Sequence, residues 1–87
     1  MNNDEKYKII GYVIASKYRL NILKSLNDTV KTPSLIAKDI DLRTNHVSNV
    51  LKDLKENNLV VCLNEEAHKG RLYKNTDLGI EILKYIE

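Results

Sequence analysis

Apolar residues recur at helical spacing along most of the chain, and the pattern turns to strand-like alternation only once, past residue 58. Ile9, Ile10, Val13 and Ile14 make the stripe of a first helix over residues 4–15. Ser16 reads as the N-cap of a second helix, because its hydroxyl can accept one of the amides that a helix start leaves unpaired. That helix carries Leu20, Ile22, Leu23 and Leu26 and stops at Asn27-Asp28. Thr32 is a good cap for a third helix, and Pro33 a good first residue, since its missing N–H would have had no partner there. Leu35, Ile36, Ala37 and Ile40 follow, and Asp41 is expected in the left-handed conformation that ends many helices. A tight turn leads to a fourth helix over 44–57, with Val47, Val50, Leu51 and Leu54 at i, i+3, i+4 and i+7. Helices three and four form a helix-turn-helix over 33–57 whose expected core is Leu35, Ile36, Ile40, Val47, Val50, Leu51 and Leu54.

From Leu59 to Asn64 the chain is apolar and β-branched but too short for a helix, and Arg71 to Asn75 alternates around Tyr73. The polar loop between them, with Gly70 near its end, makes 59–75 a β-hairpin. Thr76 and Asp77 cap a last helix over 77–87, bearing Leu78, Ile82, Leu83 and Ile86. Gly79 is locally unfavourable inside that helix, by about 1 kcal/mol against Ala, and a close approach of another backbone would account for it. No repeat or linker divides residues 1–87, so the expected fold is one α+β domain: a helical core, a C-terminal β-hairpin and a closing helix.

Composition narrows the function classes. Leu, Ile and Val supply 27 of 87 residues, enough for a packed core. The longest apolar run, Ile9 to Ala15, is far short of a membrane span. The polar, acidic start is unlike a signal peptide, so a cytoplasmic location is expected. Cys62 is the one cysteine, which excludes an internal disulfide and a multi-cysteine metal site; it reads as a small buried strand residue. His46 and His68 have no ligand-type neighbour at metal spacing, no nucleophile–base motif is present, and no cofactor, metal or enzymatic activity is expected. Ile, Asn and Lys make 30 of the 87 residues, the mark of an AT-rich genome. The formal charge is only +2, from 14 basic and 12 acidic side chains, so a protein that binds a polyanion must gather its positive charge on one face.

Four segments, in order, resemble the winged helix-turn-helix regulators of the ArsR type. Ile14-Ala15 through Arg19-Leu20 and Ile22-Leu23 is similar to their opening L-A-x-x-x-R-L-x-I-L. Ile36-Ala37, Ile40-Asp41-Leu42, Val47-Ser48, Leu51 and Leu54 resemble the helix-turn-helix, and Leu59-Val60, Lys69-Gly70-Arg71, Tyr73, Thr76 and Gly79 resemble the wing and the helix after it. MarR-like and small archaeal winged-helix regulators share these patterns. The resemblance implies a sequence-specific double-stranded DNA-binding transcriptional regulator, a repressor that reads the major groove with helix 44–57 and the backbone or minor groove with the wing. Three positions depart from the family. Arg43 replaces a capping Ser, which passes the cap to Thr44; Asp41 replaces the turn Gly; and Asn75 replaces an apolar residue, which loosens the expected join between wing and core. The cysteine pairs of metal-sensing members are missing from the helix matching Ser34 to Ile40, so metal sensing does not carry over.

On a wheel of about 100° per residue, Asn45, Asn49, Lys52 and Glu56 oppose the apolar side of helix 44–57, with His46 and Ser48 on the flanks. Asn can pair bidentately with adenine, and Lys52 suits a phosphate or guanine. The wing supplies His68, Lys69 and Arg71, the last matching a wing Arg of the family, although Glu65 and Glu66 in the same loop oppose phosphate unless they point away. Thr32, Ser34, Arg43 and Thr44 lie at helix starts, where backbone amides and hydroxyls hold phosphate. Arg19, a cation in the first turn of its helix, is expected to make a structural bond instead. Surplus apolar residues on the terminal helices, Tyr7, Ile10, Tyr12 and Ile14 on the first and Ile82, Tyr85 and Ile86 on the last, point to a homodimer interface, the alternative being that Tyr7 and Tyr12 simply cover the monomer core; two-fold pairing there resembles that of ArsR-type dimers and implies an inverted-repeat operator. The alternative is a winged-helix protein-interaction module without DNA binding.

Overall fold

A computed structural model describes residues 2–87 as five helices and one hairpin: α1 (Asn3–Ile14), α2 (Lys17–Leu26), α3 (Pro33–Ile40), α4 (Thr44–Glu56), β1 (Val60–Cys62), β2 (Tyr73–Asn75) and α5 (Asp77–Ile86). Four helix starts carry a side-chain cap. Asn2 Oδ1 accepts from Glu5 N, Ser16 Oγ from Arg19 N, Thr32 Oγ1 from Leu35 N and Thr76 Oγ1 from Gly79 N. The start of α4 differs. Thr44 is its first helical residue and does not cap it, and Arg43 in the cap position makes no side-chain bond to the first turn. Four backbone corners take positive φ: Asn27 (48°), Asp41 (56°), Asn58 (61°) and Gly70 (66°). The first three close α2, α3 and α4, where Asn and Asp tolerate the left-handed region better than other side chains do.

The core is one cluster. Val13 of α1, Ile22, Leu23 and Leu26 of α2, Ile36 of α3, Val47, Leu51 and Leu54 of α4, Leu59, and Ile82 of α5 are all inaccessible to solvent. Two apolar residues depart from their expected places. Leu35, expected in the helix-turn-helix core, is 51% exposed, because α3 turns Ile36, Ala37 and Ile40 inward and leaves its neighbour outside. Ile82, expected on an interface, is fully buried in the chain's own core.

The hairpin pairs Val60 with Asn75, Val61 with Lys74 and Cys62 with Tyr73 in antiparallel register, and Leu63 N donates to Leu72 O to lengthen it. Period-two alternation turns Val60, Cys62, Tyr73 and Asn75 toward the core and Val61 and Lys74 outward. Lys31 adds a one-residue third strand, exchanging both backbone bonds with Tyr73. Its ammonium also reaches Ser25 O and Asp39. Hydrogen bonds from Lys31 and Ser25 hold the Asp39 carboxyl below the usual carboxylate range. The segment before α3 is thereby tied to both α2 and the hairpin.

Asn75 corrects the expectation of a loose join. It is buried, and its Nδ2 donates to Leu23 O at 3.0 Å and Asn27 O at 2.9 Å, so the amide fastens β2 to the end of α2. An apolar residue would leave those helix-end carbonyls with fewer donors. Gly79 packs against Leu59: a Cβ there would lie 2.3 Å from Leu59 O. Arg19 bonds Tyr12 O at 2.6 Å and stacks over the Tyr12 ring at 3.9 Å, the structural role expected of it.

Candidate nucleic-acid interface

The helix-turn-helix and the wing enclose an open cleft of about 750 Å³. One wall is α4, which contributes Thr44, Ser48, Lys52 and Lys55; the other is the hairpin loop, with His68, Lys69 and Arg71; Thr32 and Ser34 close the end. Lys52, Lys55, Lys69 and Arg71 all line it, and among the described residues no carboxylate does. A chain with a formal charge of only +2 has gathered four cations into one groove.

Two helices begin at this groove. Thr32 Oγ1 is already engaged by Leu35 N, which leaves the α3 start partly satisfied. The α4 start has no side-chain cap, and its first amide to return to the chain is Val47 N, bonded to Arg43 O at 3.1 Å. The amides before it have no intrahelical acceptor, and the helix dipole adds partial positive charge at the same end. Such a helix start favours an anion.

The wing is braced from within. Asn64 accepts Leu72 N on Oδ1 at 2.7 Å and donates Nδ2 to Gly70 O at 3.3 Å. Arg71 Nε donates to Ala67 O at 2.8 Å, so this side chain shapes its own loop while the rest of its guanidinium stays exposed. Gly70 supplies the left-handed residue of the turn. His68 and Lys69 are thereby presented at a fixed tip. Glu65 forms an ion pair with the groove residue Lys55; that pair lowers the Glu65 carboxyl and raises the Lys55 ammonium from their ordinary values. Glu66 is exposed.

Other sequence candidates lie outside the cleft. Asn45 and Asn49 are exposed on the outward face of α4, and Arg43 is exposed at its start. His46 is half-buried and packs edge-on against Tyr18, with centroids 4.6 Å apart, so it joins α4 to α2. Two residues of the site were missed from sequence. Lys55 follows Lys52 by three positions, a spacing that puts both on one helix side. Asn64 gave only a weak signal, a short amide side chain at the start of a loop.

A second surface lies on α1 and α5. Tyr7, Ile10 and Ile14 share one face of α1; Tyr7 and Ile14 are 56% exposed and Tyr85 is 52% exposed, while Ile10, Tyr12 and Ile86 are half-buried. The Tyr7 and Tyr85 rings meet edge to face at 6.2 Å, and the bond between their hydroxyls raises the Tyr85 hydroxyl above its ordinary value. Lys6 caps the pair, 4.7 Å over the Tyr85 ring and 3.5 Å from Glu81. No helix among the described residues is long and apolar enough to cross a membrane.

A helix-turn-helix, an antiparallel hairpin beside its second helix and a closing helix packed behind define a winged-helix fold. No family model and no curated protein matches the sequence. Solved structures do. TubR from Bacillus thuringiensis serovar israelensis, bound to 24 bp of tubC, superposes with a TM-score of 0.80 at 14% identity, over 99% of this chain and 92% of that one. HlyU from Vibrio cholerae gives 0.79 at 19% identity, over 98% and 91%. MepR from S. aureus, in complex with DNA, gives 0.74 at 18% identity, over 95% and 71%. ZitR from Lactococcus lactis matches with a TM-score of 0.71 at 21% identity, and the match spans 82% of this chain but only 49% of that one. At these identities the likeness is one of fold.

Proposed function

We propose that the chain is a sequence-specific double-stranded DNA-binding transcriptional regulator that acts as a repressor by covering its operator. The observation that carries this reading is the groove between α4 and the wing, lined by Lys52, Lys55, Lys69 and Arg71 and free of lining carboxylates. Phosphates occupy that groove and the uncapped α4 start, and Asn45, Ser48 and Asn49 meet base edges in the major groove. Two of the structures that share the fold, TubR and MepR, were solved with DNA, which supports the same partner here.

Purified protein mixed with genomic fragments should retain a small, reproducible set. If a dimer neutralises about 6–8 phosphates, log K should fall with log[salt] at a slope near −5 to −7. Retention of no fragment at low salt would leave the protein-interaction reading.

The dimer forms through the α1–α5 surface, with Tyr7, Ile10, Ile14, Tyr85 and Ile86 at the interface. Exposed aromatic and β-branched side chains grouped on two adjacent helices support it. Two-fold pairing there presents two α4 helices to an inverted repeat about one helical turn apart. Light scattering at micromolar concentration should report about twice 10.0 kDa. Ile10→Glu with Ile86→Glu should give a monomer that binds DNA weakly, whereas a wild-type monomer with full operator affinity would exclude the dimer.

A further inference from the structure

Among the described residues one ion pair joins α4 to the wing, Lys55 with Glu65. Lys55 faces the basic groove three residues after Lys52, and Glu65 stands at the root of the wing loop that carries Lys69 and Arg71. The pair bridges the two walls between which DNA would enter. Both side chains keep about half their exposure, 42% for Lys55 and 56% for Glu65. Exposed pairs of this kind are weak and screened by salt, so another anion can displace either partner. The carboxylate also feels the Arg71 charge, which places it in the field of a second cation of the groove. An ammonium offers three donors and accepts a carboxylate or a phosphodiester oxyanion on similar terms.

We propose that Glu65 is an internal substitute for a DNA phosphate: it occupies Lys55 in the free protein and yields it to the backbone on binding. Lys55 is then a phosphate ligand of the bound state, and Glu65 sets the threshold that DNA must overcome to recruit it. The exchange involves no base edge. It lowers affinity for every duplex by the same factor and leaves base preference to the outward face of α4. This proposal rests on the DNA-binding reading given above.

Fluorescence anisotropy with two labelled duplexes, one retained by the wild type in the fragment selection and one a scrambled version, tests it on four full-length proteins. These are the wild type, Glu65→Gln, Lys55→Ala and the double variant. Glu65→Gln should tighten binding to both duplexes by the same factor, roughly three- to tenfold at low salt. Lys55→Ala should weaken both, and in its presence Glu65→Gln should recover less than half of its gain. Thermal unfolding without DNA should leave all four folded, since both positions are exposed. If Glu65→Gln weakens binding, the pair is a brace that holds the wing in place, and the proposal fails. It also fails if the gain from Glu65→Gln is undiminished without Lys55, because Glu65 then acts by repulsion at a distance. A wild type that binds neither duplex removes the DNA reading and this proposal together, while a wild type that binds with no gain from Glu65→Gln removes this proposal alone.

Discussion

Gly79→Ala should destabilise the fold by about 2–3 kcal/mol, as overpacking against a fixed neighbour does. Helix propensity alone predicts the opposite sign, a gain of about 1 kcal/mol from removing a glycine inside α5. The added methyl would lie 2.3 Å from Leu59 O, which is backbone and has no rotamer to give. Leu59 O also accepts Thr76 N at 3.1 Å, so moving it disturbs the turn that starts α5. Leu59 is itself wholly buried at the root of β1, and a shift there carries into the wing. Urea unfolding monitored by helicity checks the sign directly. A higher midpoint for Gly79→Ala would mean that α5 can draw back from Leu59 without cost.

Lys52→Ala combined with Lys69→Ala should weaken DNA binding sharply. One lysine stands on each wall of the groove, so the proposed dimer would lose four phosphate contacts. The salt slope should become shallower by about 3–4, and affinity near 50 mM salt should drop roughly a hundredfold or more. Stability should be unchanged, because both side chains are exposed. Asn49→Ala belongs to a different class. It should leave the slope intact and relax preference at one A·T position, by about 1–3 kcal/mol of discrimination. Titrations at several salt concentrations separate the two effects; an unchanged slope in the double lysine variant would mean that DNA does not use this groove.

What could be read from the sequence was what short-range chemistry determines. Ser16, Thr32 and Thr76 cap helices because a hydroxyl before an apolar stripe has few other roles, and Asp41 takes the left-handed corner because the chain must turn there. Gly79 was legible as an anomaly whose cost needed a close neighbour. The rest depended on distant partners. Leu35 and Ile36 are equally apolar and adjacent, and only the placement of α2 and α4 decides which of them is buried. Ile82 fits an interface stripe and a core stripe alike. The bridge from Lys31 to Tyr73 is a single residue long, with no periodicity to announce it. At the site, Lys52, Lys69 and Arg71 stood out as charges, but their convergence on one groove with Lys55 is a property of the packed fold. The role of Asn75 is hidden for the same reason: its two acceptors, Leu23 O and Asn27 O, lie about fifty positions away in the chain.

The corners that close α2, α3 and α4 are turned by Asn27, Asp41 and Asn58, and glycine is used for such a corner only at Gly70 in the wing. The sequence holds ten asparagines and three glycines. Every glycine codon begins with two guanines, whereas asparagine codons begin with two adenines, so a gene drifting toward A and T replaces one with the other at little structural cost. Asn and Asp tolerate positive φ where most side chains do not. The drift can therefore erase the glycine punctuation by which a pattern search finds a helix-turn-helix and leave the backbone path unchanged. Three helix ends of this chain turn at positive φ in that way, without a glycine.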